Sequence, residues 1–182
     1  MKTEVHKIDE SRRDDFFKIH CAATGHAWCF CVAWWVPTWE GWSNRDPMQN
    51  RQFREKLFDR GEYDGYLLYV DDYPAGWCQC GPRDRLTKLV ESYKLKPDKN
   101  IWAMTCFVIS PKYRDIGLCH YFVSEILKDL KHKGIKKVQG FPRRGKSLPF
   151  GDVWTGPEMI FLQAGFEIEK DDPQYPVYSL KL

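Results

Sequence analysis

The sequence predicts an α/β or α+β domain built around one mixed sheet, and three observations carry that prediction. Trp102-Ala-Met-Thr-Cys-Phe-Val-Ile109 is apolar nearly throughout, as a central strand buried on both faces must be. After Pro111 to His120 comes one clean stripe, with Cys119, Phe122, Val123, Ile126, Leu127 and Leu130 at helical spacing and Ser124, Glu125, Lys128 and Lys131 turned away from it. Upstream, Tyr66-Leu-Leu-Tyr-Val70 and Ala75-Gly-Trp-Cys-Gln-Cys80 flank Asp71-Asp-Tyr-Pro74 and read as a hairpin. A hairpin followed by strand, helix, strand, helix and strand gives the fold class.

The remaining elements follow in chain order. Thr3 to Ile8 alternates and reads as a short edge strand, and Ser11 to His20 reads as a first helix with Phe16, Phe17 and Ile19 among charges. Residues 26 to 42 hold Trp28, Trp34, Trp35, Trp39 and Trp42 with Cys29 and Cys31, and no period assigns them. Gln49 to Arg60 is helical, with Phe53, Leu57 and Phe58 on one side; Leu86, Leu89, Val90 and Tyr93 keep helical spacing until Pro97. The long helix ends on Lys131, His132 and Lys133, where cations favour the dipole, with Gly134 as the residue that leaves the helix. Lys137 to Gly140 is a brief strand, and Phe141 to Trp154 a Pro-, Gly- and Arg-rich loop. Thr155-Gly-Pro-Glu158 has the form of a capping box opening a helix through Leu162. Gly165 closes that helix, Phe166 starts a strand, and Tyr178, Leu180 and Leu182 alternate as the last one.

At 182 residues the chain is expected to be one domain, residues 1–182, with enough apolar content (43%) for a full core. No apolar run approaches the ~20 residues that span a bilayer, and the N-terminus has no signal-peptide core, so a cytoplasmic protein without a membrane partner is expected. Seven cysteines, an odd number, fit reduced thiols better than a disulfide framework. A net charge of +3 does not by itself imply nucleic acid. Basic residues do crowd late, from Lys112 and Arg114 through Lys136 and Lys137 to Arg143, Arg144 and Lys146, a field suited to a polyphosphate ligand as well as to solvent.

Two stretches look able to hold phosphate. Gly140-Phe-Pro-Arg-Arg-Gly-Lys-Ser147 matches the nucleotide-binding P-loop letter for letter. That loop needs a helix starting at its lysine, and Leu148-Pro-Phe-Gly151 argues against one. The other stretch, Arg114-x-x-Gly117-x-Cys119, is a weaker string in a stronger context, between a buried strand and an amphipathic helix. Gly117 there lets a phosphate approach the backbone, and the first-turn amides and the dipole favour negative charge.

Phe107-x-Ile109-x-Pro-x-x-Arg114-x-x-Gly117-x-Cys119, the helix ending at Gly134 and Phe161-x-x-x-Gly165-Phe166 together resemble the GNAT superfamily of acyl-CoA-dependent N-acyltransferases, over residues 101 to 168. The resemblance implies a mostly antiparallel central sheet flanked by helices, acetyl-CoA as donor, no metal, and transfer to a primary amine of a small molecule or peptide within a ternary complex. A homodimer is compatible with it. It places the pyrophosphate on the turn Arg114, Asp115, Ile116, Gly117, Leu118 and Cys119, and the pantetheine along Phe107, Val108 and Ile109. It makes the Phe107 backbone amide the donor to the thioester oxyanion.

The chain departs from that pattern at two positions. Cys119 replaces a usual Gly or Ala, and Phe161 stands where a tyrosine often protonates the leaving thiolate. A thiol with pKa near ~8.5 leaves readily without such help. No carboxylate lies on the central strand, so Glu158, Asp152, Asp84 and His120 are the candidates for a base, Glu158 being equally explained as a cap. Cys29/Cys31 and Cys78/Cys80 could form a four-thiolate metal site or be buried thiols, and Cys106 could be a nucleophile. The tryptophans of residues 28 to 42 either wall an acceptor pocket or fill core. Two rival functions remain: a catalytically silent CoA-binding regulatory domain, motivated by Phe161 and the missing base, and a P-loop nucleotide hydrolase.

Overall fold

The structure, a computed structural model, describes residues 1–23, 28–149 and 152–182. Its strands are β1 (Thr3–Lys7), β2 (Tyr66–Val70), β3 (Tyr73–Pro82), β4 (Ile101–Ile109), β5 (Lys137–Gly140), β6 (Glu167–Lys170) and β7 (Val177–Lys181). Its helices are α1 (Arg13–Ala22), α2 (Pro47–Asp59), α3 (Thr87–Ser92), α4 (Leu118–His132) and α5 (Glu158–Gln163). The strands form one sheet in the order β1-β2-β3-β4-β5-β7-β6. Every neighbouring pair is antiparallel except β4 with β5. A parallel pair needs a crossover, and α4 supplies it.

Side-chain alternation along β3 and β4 divides the core between two faces. Leu118, Phe122, Val123, Ile126 and Leu130 of α4 pack with Cys78, Cys80, Met104, Phe107 and Val138 on one face. Phe16, Phe17 and Ile19 of α1 pack with Leu67, Trp77 and Cys106 on the other. A third cluster joins Trp34, Leu89 and Tyr93 to Ala103, Phe141 and Val177.

One irregularity in β4 positions the site. Cys78 pairs with Phe107 and Cys80 with Met104, so Thr105 and Cys106 together oppose the single residue Gln79. Such a bulge bends its strand. The β4–β5 pairing ends at Met104 and Gly140, at the same level, and β4 continues to Ile109 with its β5-side edge free of any strand.

The helix and strand expectations hold, with three differences of detail. The Thr155–Glu158 capping box does not form: α5 begins at Glu158 behind Pro157, no side chain caps it, and the Thr155 hydroxyl is buried without a partner among the described residues. The Glu158 carboxylate is drawn off by Arg144 and Tyr178 instead. A capping box does form at α2, where Asp46 and Gln49 exchange bonds with each other's backbone and Pro47 occupies the first turn. From residue 28 the tryptophan-rich stretch folds as successive turns, ending in a short 3₁₀ helix at Trp42–Asn44; its first two positions, 26 and 27, lie outside the described residues.

Candidate active site

A cavity of about 330 Å³ opens where β4 separates from β5. One side is the strand itself, Phe107 to Ile109, and the next is the turn into α4 with Tyr113, Arg114, Asp115, Gly117, Leu118 and Cys119. Val153, Trp154, Pro157 and Ile160 close it from the α5 side. Eight of the nine positions assigned to the cofactor therefore share one surface, and the ninth, Ile116, turns outward and is 52% exposed.

The turn is built for close approach to backbone. Asp115 and Gly117 have φ of 61° and 80°, and Gly117 is the residue from which α4 starts, with no side-chain cap. A helix leaves its first amides unpaired, so the cavity faces an uncapped helix N-terminus. A Cβ at Gly117 would meet nothing within 4 Å, which shows how open this side is. The Arg114 Nε–H donates to the Ile109 carbonyl at 2.9 Å and ties the turn to the strand it leaves. These features fit a diphosphate group.

The Phe107 amide is engaged. It points to the β5 side and donates to the Trp154 carbonyl at 2.8 Å. The approach is fixed by Gly156, whose φ of 101° only glycine adopts easily and where a Cβ would come within 2.8 Å of the Phe107 ring. The segment from Val153 to Pro157 thus occupies part of the gap that the bulge opens.

The base candidates scatter. Glu158 does not line the cavity; it accepts from Arg144 Nε at 2.7 Å and from the Tyr178 hydroxyl at 2.5 Å. Burial pushes its carboxyl up, but those two hydrogen bonds and the Arg144 charge outweigh burial and hold it below the ordinary carboxylate value. Asp152 pairs with Arg143 at 2.7 Å, and Asp84 accepts from Arg83 and from the Asp98 amide. His120 lines the cavity at its exposed mouth. Phe161 is fully buried, with its ring edge-on to Phe107 and Phe166.

The cysteine pairs do not meet. Cys78 and Cys80 lie on the α4 face of the sheet, Cys31 with Cys106 on the α1 face. The described residues contain no group of three or more potential metal ligands. Cys106 lines the cavity, but its hydrogen bond with Cys31 and its burial push the thiol well above its usual range, so it stays protonated. None of the five tryptophans of residues 28 to 42 lines the cavity. Trp28, Trp42, Trp39 and Trp34 instead form a chain of ring contacts, each 5.2–5.5 Å from the next, that ends on Trp154, which does line it. The P-loop string has no helix at its lysine: β5 ends at Gly140, and residues 141–149 contain neither helix nor strand.

Sequence reasoning missed His20. It sits on the buried side of α1 with Phe16, Phe17 and Ile19 and lines the inner end of the cavity beside Ala23, Cys29 and Cys106. The signal was its place on the apolar stripe, four residues after Phe16.

A model of the acetyltransferase (GNAT) family matches residues 28–142. Among curated proteins none matches the chain in sequence. Of solved structures, the PaiA N-acetyltransferase of Thermoplasma acidophilum in complex with coenzyme A is 16% identical, with a TM-score of 0.58 and all of both chains covered. The ribosomal-protein-S18-alanine N-acetyltransferase of Escherichia coli is 9% identical over 99% of this chain and 94% of its own, with a TM-score of 0.56. YncA of Salmonella typhimurium, solved with its cofactor acetyl-CoA, is 11% identical over 99% and 94%, with a TM-score of 0.58. At these identities the likeness concerns the fold.

Proposed function

The chain belongs to the acetyltransferase (GNAT) family, and on that premise we propose that it transfers an acetyl group from acetyl-CoA to a primary amine by direct attack within a ternary complex. The observation that carries the reading is the single cavity joining the free edge of β4 to the Gly117 turn and the uncapped start of α4. The diphosphate would lie on the amides from Arg114 to Cys119, and the pantetheine would run along Phe107 to Ile109 toward Cys106.

The amine nitrogen would attack the thioester carbon and form a C–N bond. Collapse of the tetrahedral intermediate would break the C–S bond and leave the electron pair, and finally the amine's proton, on the CoA sulfur. Positioning supplies most of the rate in this scheme. Phe161 gives no proton, and a thiolate needs little help to leave. The Phe107 amide serves as oxyanion donor only once the Trp154 carbonyl has left it, so acyl-CoA binding is coupled to a shift of the 153–157 segment.

That same occupied amide, together with Phe161, favours one second reading, a CoA-binding regulatory domain without turnover. Mass spectrometric detection of acetylated product from acetyl-CoA and a panel of primary amines separates the two. Product supports the enzyme; CoA binding without product supports the regulatory domain. Thermal stabilisation by ATP or GTP with Mg²⁺ and none by CoA would overturn both.

A further inference from the structure

His20 is 3% exposed, and its Nδ1 lies 3.0 Å from the Phe16 carbonyl oxygen. A carbonyl only accepts, so Nδ1 carries the proton and, in the neutral ring, Nε2 is a bare lone pair. That Nε2 is buried with no hydrogen-bond partner among the described residues. A buried acceptor left unmatched is costly and uncommon in native proteins. Its ring is held between other rings, with centroids 4.0 Å from Phe16 and 5.8 Å from Phe30. It borders the same cavity as Cys106 and Phe107. The His20 ring therefore borders, from the α1 side, the cavity in which the thioester is proposed to lie, with a buried Nε2 that is unmatched among the described residues.

We infer that His20 Nε2 is the docking acceptor for an N–H of the acceptor substrate, and that this end of the cavity takes the uncharged form of a weakly basic primary amine: an arylamine, a hydrazine or a peptide α-amine. The inference rests on the acyl-transfer reading only in making the ligand an amine.

The electrostatics decide between the neutral and the charged amine. Burial pushes His20 down to about 3, the Phe16 carbonyl opposes that shift, and the Arg54 guanidinium adds to it. The ring stays uncharged at neutral pH. Arg54 is itself fully buried and donates only to the Phe30 and Cys31 carbonyls and the Gln79 side-chain oxygen, with no carboxylate among its hydrogen-bond partners in the described residues. The nearby thiols Cys29 and Cys106 are raised by their surroundings, whereas at Cys31 burial is outweighed by the Cys106 hydrogen bond and the Arg54 charge, which lower it. An ammonium entering here loses its hydration beside the Arg54 guanidinium, whose pKa burial lowers against the opposing Cys31, Cys106, Cys29 and Asp64. A neutral amine donates one N–H to Nε2 and keeps its lone pair for the thioester carbon. His20 orients the nitrogen without keeping its proton, which ends on the departing CoA thiolate.

The test uses the full chain with CoA or acetyl-CoA present. The probes are phenylhydrazine, 4-methoxyaniline and glycinamide, set against ethylamine and putrescine. In ¹⁵N-histidine NMR at neutral pH, the resonance absent from His20→Phe is expected to show an unprotonated Nε2, and to move with the first three amines but not the last two. His20→Phe is expected to fold, to bind CoA with unchanged Kd, and to lose about tenfold or more in kcat/KM for the weakly basic amines, the worth of one hydrogen bond to a fitted partner. His20→Gln, which can place an oxygen near the Nε2 position, is expected to recover most of that loss.

Turnover by the native chain that His20→Phe leaves unchanged overturns the inference and spares the acyl-transfer reading. An Nε2 resonance that moves with amine in a chain that forms no product supports the inference and sinks that reading. A resonance that moves with none of the probes, or a His20→Phe chain that loses CoA affinity in step with activity, overturns the inference, the latter by making the role structural.

Discussion

Replacing Gly117 separates the geometry of the β4–α4 turn from its charge. Gly117 has φ of 80° and no heavy atom within 4 Å of the place a Cβ would take. Gly117→Ala therefore meets no clash and suffers only the left-handed backbone penalty of about 1–2 kcal/mol, partly offset by a less flexible unfolded chain. A fall in Tm of about 2–4 °C per kcal/mol follows for a domain of this size. Gly117→Glu carries the same strain, but its carboxylate sits at the start of α4, where negative charge is favourable by about 0.3–1 kcal/mol. Without ligand, the Glu variant is thus expected to be at least as stable as the Ala variant. With CoA the sign reverses. A carboxylate roughly 6 Å from a phosphate charge costs about 1–3 kcal/mol between bulk-like and near-surface dielectric. Two phosphate charges then lower affinity at least about tenfold relative to Ala. Isothermal titration with CoA, alongside thermal melts of both variants, reads the two effects separately. A folded Glu variant that binds CoA as tightly as the Ala variant would refute the placement of the diphosphate on this turn.

Phe161→Tyr, which restores the hydroxyl of the resembled family, is expected to lower stability by about 1–3 kcal/mol and not to raise kcat. The ring is fully buried, and its Cζ lies within 2.8 Å of the place a Gly140 Cβ would take, so the hydroxyl enters packed space; urea denaturation and turnover check this. Glu158, Asp129 and Glu169 are held below their ordinary carboxylate values in the fold, their side-chain partners outweighing burial. Groups depressed in the folded state add stability above their unfolded values and lose it as pH falls through the folded ones, so stability is expected to decline below about pH 4.5. Glu158→Gln should flatten part of that decline in melts across an acid series. Native alkylation at pH 8 is expected to label Cys21 first, the exposed thiol, while burial raises Cys119 to about 11 and Cys29 to about 12; peptide mass spectrometry orders the sites.

The strand, turn and helix from Ile101 to His132 were legible because their determinants are local: an uninterrupted apolar run, a glycine at the turn and one apolar stripe, all within a single stretch of chain. Periodicity fixed which side of α4 meets the sheet, and proline with glycine was enough to deny the Lys146 string its helix. The Glu158 misreading was equally local in origin. Its spacing from Thr155 fits a cap, and nothing nearby in sequence announces that Arg144 and Tyr178 compete for the same carboxylate. Tertiary structure alone decided what the cavity contains. The bulge that frees the β4 edge depends on how Thr105 and Cys106 register against Gln79 on another strand. The occupied Phe107 amide depends on a carbonyl from beyond β5. His20 reached the cavity because α1 packs on the face of the sheet that carries Cys106. Hydrophobic periodicity tells a helix which side to bury but not which distant residue it will meet, and the chemistry of this site lies in those meetings.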